Sequence, residues 1–567
     1  MKQIDFKKTY DAIVVGSGAA GGMAAKELAE KGLEVLMLEA GPYFKIEDFN
    51  HHRPVWDFPF RGSFSPRERA QYCYAANPWN KQSFIDETKN PYTKAEGTNF
   101  VWVRARAVGG KTLHWGLVSL RFSPDDFHRA GLDGYGIDWP ITYEEIEPYY
   151  RHVESVVGIC GTYESLPNNP DSLFLPPVPM TCGEKLLRKG VEKFPGRRLI
   201  HGRSATATVP HGDRPACHFC GHCDRVCDSR SSFSSLGVLI PLAEQTGRFT
   251  LRPNAVVREV LLTKKGDTVS GVSFLDRETR REFQVRGRVV ILGASSLEST
   301  RLLLNSTSRR YPNGLGNSSG ALGKYFCEHI MGGSINGIIP SLKGTPPVSG
   351  DARPYGSSPY LPKFRNVTEQ RKDFLRGYGF ETEAGSGEFP GYARSIKGFG
   401  ADFKARVREM YNTTVGMTAF GEVLPRADNF VEIDKTRTDE WGIPVLKFHV
   451  TWGENEKAMV KDMNDTAEEM FRAAGIEIVR QSMEPRSPGF SIHEAGTCRM
   501  GSDPKVSMLN SHNQSHEIAN LFVVDGSSFT SSTEKNPTLT IMALAARAAD
   551  FITEEMRRGK FRSQGSA

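Results

Sequence analysis

An α/β protein built on a Rossmann-type dinucleotide-binding unit is the fold class that this 567-residue sequence predicts. Three observations point there. Residues 11–39 read as strand, glycine turn, helix and second strand, and residues 254–292 read as a three-stranded meander. Short alternating runs between 414 and 450 carry the pattern of an antiparallel sheet in a second, α+β domain.

The N-terminal unit is the most explicit. Asp11 precedes the β run Ala12–Val15, and Gly16-Ser17-Gly18-Ala19-Ala20-Gly21 follows at once. A helical pattern with Met23, Ala24 and Leu28 closes on Gly32, and the strand Val35–Leu38 ends on Glu39, 18 residues after Gly21. Gly16 makes the tight turn, Gly18 admits a pyrophosphate close to the backbone, and Gly21 lets the helix pack on the strand. The free N–H groups of the first helical turn, around Ala19 and Ala20, favour phosphate, and Glu39 would accept from the adenosine ribose. The motif alone does not separate FAD from NAD. Lys7 and Lys8 before an apolar stretch superficially resemble a secretion signal, but the glycine turn inside that stretch argues against one.

Composition narrows the classes. Lys and Arg number 72 against 66 Asp and Glu, a net charge of +6, with 39% hydrophobic and 24% charged residues. That balance excludes a nucleic-acid binder driven by bulk charge. No run approaches the ~18 apolar residues of a spanning helix, so direct membrane insertion is not expected. Glycine, at 56 residues, follows no collagen period.

Further along, Gly109-Gly110 within RARAVGGKTLHWGLVSL offers a second close approach to a cofactor, for which a nicotinamide enzyme has no obvious use. The meander runs Val256–Leu262, Val269–Leu275 and Phe283–Leu292 and ends in GASSLESTRLLL. Near the C-terminus come SIHEAGTCRMG, NLFVVDGSSF and NPTLTIMALAARAADFI. In this order the segments resemble the glucose–methanol–choline (GMC) family of FAD oxidoreductases.

The resemblance implies FAD and a cofactor domain assembled from discontinuous segments. It divides the chain into 1–335, with an iron–sulfur insert at 214–230, a substrate domain at 336–484, and a C-terminal return at 485–567 that carries catalytic residues. Thr414–Leu424, Phe430–Ile433 and Val445–Val450 are expected strands of the substrate sheet. Lys457–Ala474 is expected to cover it, burying Met459, Met463, Ala467, Met470 and Phe471. The resemblance places the catalytic base at His493 and its partner at Asn536. The helix from Thr538 would turn its N-terminus to the reduced flavin. FAD contacts are expected at Gly109, Gly110, Thr112, Val257 and Asp525, although Asp525 could equally cap its own loop. His114 either bonds covalently to the flavin, as the similar His-Trp of pyranose 2-oxidase implies, or packs beside it. His329 and His449 fall in no motif and are read as structural.

Four of the nine cysteines, Cys217, Cys220, Cys223 and Cys227, lie within eleven residues in the spacing C-x2-C-x2-C-x3-C. That is the bacterial ferredoxin run, with Asp228 where proline usually stands. The reading is an iron–sulfur cluster, [3Fe–4S] or [4Fe–4S]; zinc and disulfides are the alternatives. A one-electron relay beside a flavin implies a dehydrogenase with a protein acceptor rather than an oxidase. PACHFCGHCDRVC and NFVEID…EWGIPVLKFHV are similar to the glucoside 3-dehydrogenase branch. That branch implies oxidation of the C3 hydroxyl of a glucoside or disaccharide, an escort subunit bearing an export signal, a cytochrome-type acceptor and a periplasmic location, or a cytoplasmic one without the escort. Gluconate, polyol or other sugar dehydrogenases and pyranose oxidase-like enzymes are the alternatives within the family. A flavin-binding protein with a zinc knuckle is the alternative outside enzymes.

Overall fold

The computed structural model describes residues 3–49, 52–345, 353–384, 392–393 and 396–561. The strand β1 (Thr9–Val15) feeds the helix α1 (Ala19–Glu30), which returns to β2 (Val35–Leu38). Ala12 to Val15 and all of β2 are buried, as a parallel pair covered on both faces requires. β3 (Phe249–Arg252) extends the parallel set, and β4 (Ala255–Leu262), β5 (Val269–Asp276) and β6 (Glu282–Leu292) form the antiparallel meander, which leads into the helix α2 (Ser296–Asn305). The strand order is β3-β2-β1-β6-β5-β4, with the C-terminal strand Leu521–Val523 pairing parallel to β6 and making seven. Chain more than two hundred residues after the meander therefore completes the cofactor sheet.

The second sheet has five antiparallel strands. β7 (His329–Ile338), β8 (Tyr360–Leu361), β9 (Tyr378–Ala384) and β10 (Thr414–Glu422) join the strand Glu477–Ser482 in the order β8-β9-β10-β7-edge. The boundary at 335/336 thus falls inside β7, not between domains. The helix α3 (Glu454–Ala473) lies across the sheet and buries Met459, Met463, Ala467, Met470 and Phe471 against Ile330, Ile335 and Met417. These methionines are packing.

One expectation needs correction. Phe430–Thr438 and Pro444–His449 form strands but do not join the substrate sheet; they make a separate hairpin extended by Thr93–Lys94. Their inward residues Val431, Leu446 and Phe448 pack with Phe100, Trp102 and Leu297, so the hairpin belongs to the flank of the cofactor domain. Alternation established strand and face but carried no information about the partner.

Two long-range contacts weld the domains. Cys327 and Ala495 exchange both backbone hydrogen bonds as an antiparallel bridge, at 3.0 and 2.8 Å. Extending that register by two residues sets His329 opposite His493. Beneath lies a fully buried ion cluster. Lys363 Nζ reaches Asp126 at 3.3 Å, Glu422 at 2.6 Å and Glu534 at 3.1 Å, and Lys535 Nζ reaches Asp126 at 2.9 Å and Glu534 at 2.8 Å. Burial pushes the Asp126 carboxyl upward, but Lys363, Lys535 and Arg129 outweigh it and hold it well below the ordinary range. Replacing Lys363 with Met strands buried carboxylates without their cation. We expect Lys363→Met to lower stability by about 3–5 kcal/mol, read as a fall in the denaturant midpoint of the flavin-loaded protein.

Candidate active site

A long cleft opens above the C-terminal ends of the parallel strands, the place where α/β sheets bind ligands. Its floor is built by two glycine loops in contact. Gly16, at φ +96°, passes so close to Gly293 that a Cβ would lie 2.4 Å from the Gly293 oxygen. A Cβ on Gly21 would come within 2.0 Å of the Gly16 oxygen, which is the close helix–strand approach the motif requires. Gly18 differs. A Cβ there meets no protein atom nearer than 4.0 Å, so the space it keeps open is the cleft itself. Gly110 sits against Gly18, and the Gly109 N–H donates to the Ser17 hydroxyl at 3.0 Å.

Helices that start at the cleft lack side-chain caps. α1 begins after Gly18, and α4 (Thr538–Arg557) begins after Pro537 with Thr538 on the lining. Their free N–H groups leave positive poles facing the cleft. Ala19, Ala20, Glu39, Thr112 and Val257 also line it. Glu39 is buried; one carboxylate oxygen accepts from the Ser17 N–H at 3.1 Å and hydroxyl at 2.6 Å, the other from the Gly41 N–H at 2.8 Å. Burial raises its pKa while those donors oppose the rise. Thr112 also knots the loop, donating to the Gly109 oxygen at 2.6 Å and accepting from the Ser235 N–H. Asp525 lines the cleft and caps its own loop, accepting from the Ser527 N–H and hydroxyl.

His114 is placed otherwise. It does not line the cleft; its ring stacks on Phe84 at 4.1 Å with Nε2 lacking a hydrogen-bond partner. Burial drives its pKa down to about 3. Gly21 and Gly109 also lie behind the lining and shape the loops from within.

At one end of the cleft His493 meets Asn536. The Asn536 amide donates to Glu381 Oε1 at 3.0 Å, and the same nitrogen lies 3.5 Å from His493 Nε2. Burial, then His329 and Lys111, holds the His493 pKa well below the ordinary histidine value, so the ring is neutral at neutral pH. Glu381, on β9 of the substrate sheet, is raised to about 6 by burial. His493 Nδ1 lies 2.9 Å from His329 Nδ1, and burial lowers His329 to about 4. Sequence reasoning placed His493 and Asn536 and missed His329, Glu381 and the Lys111–Glu494 pair at 2.7 Å. Only the 327:495 bridge register could have signalled His329, and that register is a tertiary fact.

The four cysteines surround a separate small hollow, completed by His218, Gly221, His222, Val226, Ser232 and Pro354. The loop holds Phe219 and Val226 at φ +58° and +57°, a conformation that β-branched Val226 rarely takes. Burial pushes the Cys217 thiol up to about 11 and Cys223 to about 12, so thiolates here need a bound cation. Tetrahedral zinc draws its sulfurs to about 3.8 Å of one another. Among the described residues no three of these sulfurs lie mutually within 4.8 Å.

Cofactor sheet, glycine cradle, histidine–asparagine pair and overlying substrate sheet together define a flavin-dependent oxidoreductase of alcohols. Residues 10–331 and 425–545 match the N- and C-terminal domains of the GMC oxidoreductase family, and the chain belongs to that family, which binds FAD. It is 30% identical over 560 residues to 2-methyl-1,2-propanediol dehydrogenase of Mycolicibacterium austroafricanum, covering 96% of this chain and 95% of that protein. It is 27% identical to the fructose dehydrogenase large subunit of Gluconobacter japonicus, covering 97% and 98%. The fold matches pyridoxine 4-oxidase from Mesorbium loti with a TM-score of 0.61 at 15% identity, covering 96% and 99%.

The glycines separate cofactor binding from folding. Gly18→Ala should fold normally by circular dichroism but purify with FAD content reduced severalfold, whereas Gly21→Ala should lose thermal stability outright.

Proposed function

We propose that this protein is an FAD-dependent dehydrogenase that oxidises a secondary hydroxyl of a sugar to a ketone, at C3 of glucosides or disaccharides. The observation that carries the reading is the neutral, half-buried His493 on the cleft lining beside Asn536, whose amide is held by Glu381 of the substrate sheet. FAD, bound over the glycine cradle, supplies the two-electron acceptor. His493 Nε2 takes the hydroxyl proton, and Asn536 hydrogen-bonds the same oxygen and fixes its angle. Glu381 holds the Asn536 amide and offers a second acceptor to a polyhydroxy substrate. The uncapped start of α4 favours the negative charge that develops on the reduced cofactor.

Cys217, Cys220, Cys223 and Cys227 would hold an iron–sulfur cluster, which supplies one-electron transfer to a protein acceptor. A physical link between the two sites supports that reading. Trp115 lines the flavin cleft and donates its indole N–H to the Phe233 oxygen at 2.9 Å, and the adjacent Ser232 hydroxyl lies 3.8 Å from Cys223 Sγ. Relatives named as a large subunit fit an enzyme that works with partners. An escort subunit, a cytochrome-type acceptor and a periplasmic site are part of this proposal. No helix among the described residues is long and apolar enough to cross a membrane.

NMR product analysis after turnover on a disaccharide tests the regiochemistry: a 3-keto sugar is expected, and a product oxidised elsewhere overturns it. His493→Ala should slow flavin reduction by sugar on the order of 10²–10⁴-fold with FAD still bound. Because a protonated imidazole cannot accept the hydroxyl proton, and His493 is held neutral, the reduction rate should stay flat as pH falls through about 6.5. It should decline only in more acid solution. Metal analysis should find iron with acid-labile sulfide; zinc alone would end the relay.

A further inference from the structure

We propose that His329 is the positioning residue that holds His493 in the one neutral tautomer able to accept a proton at Nε2. The inference rests on the role proposed above for His493.

Two imidazoles that are both neutral cannot approach at 2.9 Å through their Nδ1 atoms unless one carries hydrogen and the other a lone pair. The surroundings decide which. Burial opposes a proton on His329, while the backbone acceptors of Thr533 and Lys535 favour one. With Nδ1 turned to His493, the nitrogen left for those acceptors is Nε2. A neutral His329 protonated at Nε2 presents a lone pair at Nδ1, so the hydrogen between the rings belongs to His493. His493 Nε2 is then the lone-pair nitrogen. Its other neighbour agrees: the nearest Asn536 atom is the amide nitrogen, a donor, at 3.5 Å. Anchored by Glu381, that amide cannot turn its oxygen to His493 without losing the 3.0 Å bond.

The contact is built by the fold rather than by rotamer chance. The 327:495 bridge sets the two residues opposite one another, and Phe420 packs edge-on against the His329 ring at 5.8 Å. Charged groups facing the pair are Glu534 and Lys535 on the His329 side and Lys111 on the His493 side. In turnover the hydroxyl proton moves to His493 Nε2 while the carbon-bound hydrogen leaves with its electron pair for FAD. His493 becomes an imidazolium that keeps donating Nδ1–H to His329. The proton goes no further, so His329 orients and stabilises without titrating.

The test is anaerobic rapid-mixing measurement of flavin reduction by substrate in FAD-loaded His329→Leu, His329→Asn and His493→Ala. Leu offers no acceptor, and reduction at saturating substrate should slow on the order of 10²–10⁴-fold, the scale of losing a base's orienting partner, with substrate affinity little changed. Asn can accept from Nδ1–H through its side-chain oxygen but cannot titrate, and it should recover most of the rate with the acid limb unmoved. A near-normal rate in His329→Leu overturns the proposal. So does His329→Asn as slow as His329→Leu, which would mean packing or proton relay. If His493→Ala is slow while His329→Leu is fast, only this inference falls. If His493→Ala itself is fast, the base assignment falls instead.

Discussion

The buried charges around Lys363 and Lys535 are the constraint on which the arrangement rests. Asp126 comes from the cofactor domain, Lys363 and Glu422 from the substrate domain, and Glu534 and Lys535 from the C-terminal return. Ions this deep are tolerable only when complete, since each removed partner leaves a charge without water or counter-ion. The cluster therefore forms only when three distant stretches of chain meet in one register. Asn536 follows Lys535 directly, Ser532 donates to the Glu328 oxygen at 3.0 Å, and His329 comes next. The electrostatic requirement thus places Asn536 and both histidines together.

How much of this was legible depended on whether a residue's role is local. Gly16, Gly18, Gly21 and Glu39 act within a single β–α–β unit, where chain spacing is nearly spatial distance, and the structure puts them at the cleft or behind it as the spacing implied. Strand positions followed from alternation, and the methionine face of α3 from helical periodicity. Partnership did not. The hairpin 430–449 reads the same whether it joins the substrate sheet or flanks the cofactor domain, because a period of two fixes a face and not a neighbour. His329 was hidden for the same reason: its meaning comes from a residue 164 positions away. His114 stands apart, since its ring stacks on Phe84 and is not part of the cleft lining.

The flavin cleft and the cysteine hollow obey different physics. The flavin cleft is made by what is missing, glycine side chains and helix caps, so backbone N–H groups face an anion. The cysteine hollow is made by a strained loop that holds thiols whose ionisation burial opposes. Val226 at φ +57° and the Asp224 carboxylate, which accepts from the Trp79 indole at 2.7 Å, keep that loop in place. Strain of this kind persists only where surrounding contacts over-determine it. Here they hold Cys223 beside Ser232, at the end of the short path from Trp115.

Burial of the histidine pair also sets the chemical character of the site. A base that must be neutral before reaction is served by desolvation, which disfavours the imidazolium and keeps the lone pair available across neutral pH. The same desolvation would penalise the imidazolium formed in the proposed reaction. The negative charge developing on the cofactor offsets that penalty, and so does a hydrogen bond that strengthens when its donor becomes a cation. An orienting imidazole answers the need better than an orienting carboxylate would. A buried carboxylate beside His493 would favour protonation before substrate arrived, whereas a neutral acceptor fixes the tautomer and adds no charge to the ground state.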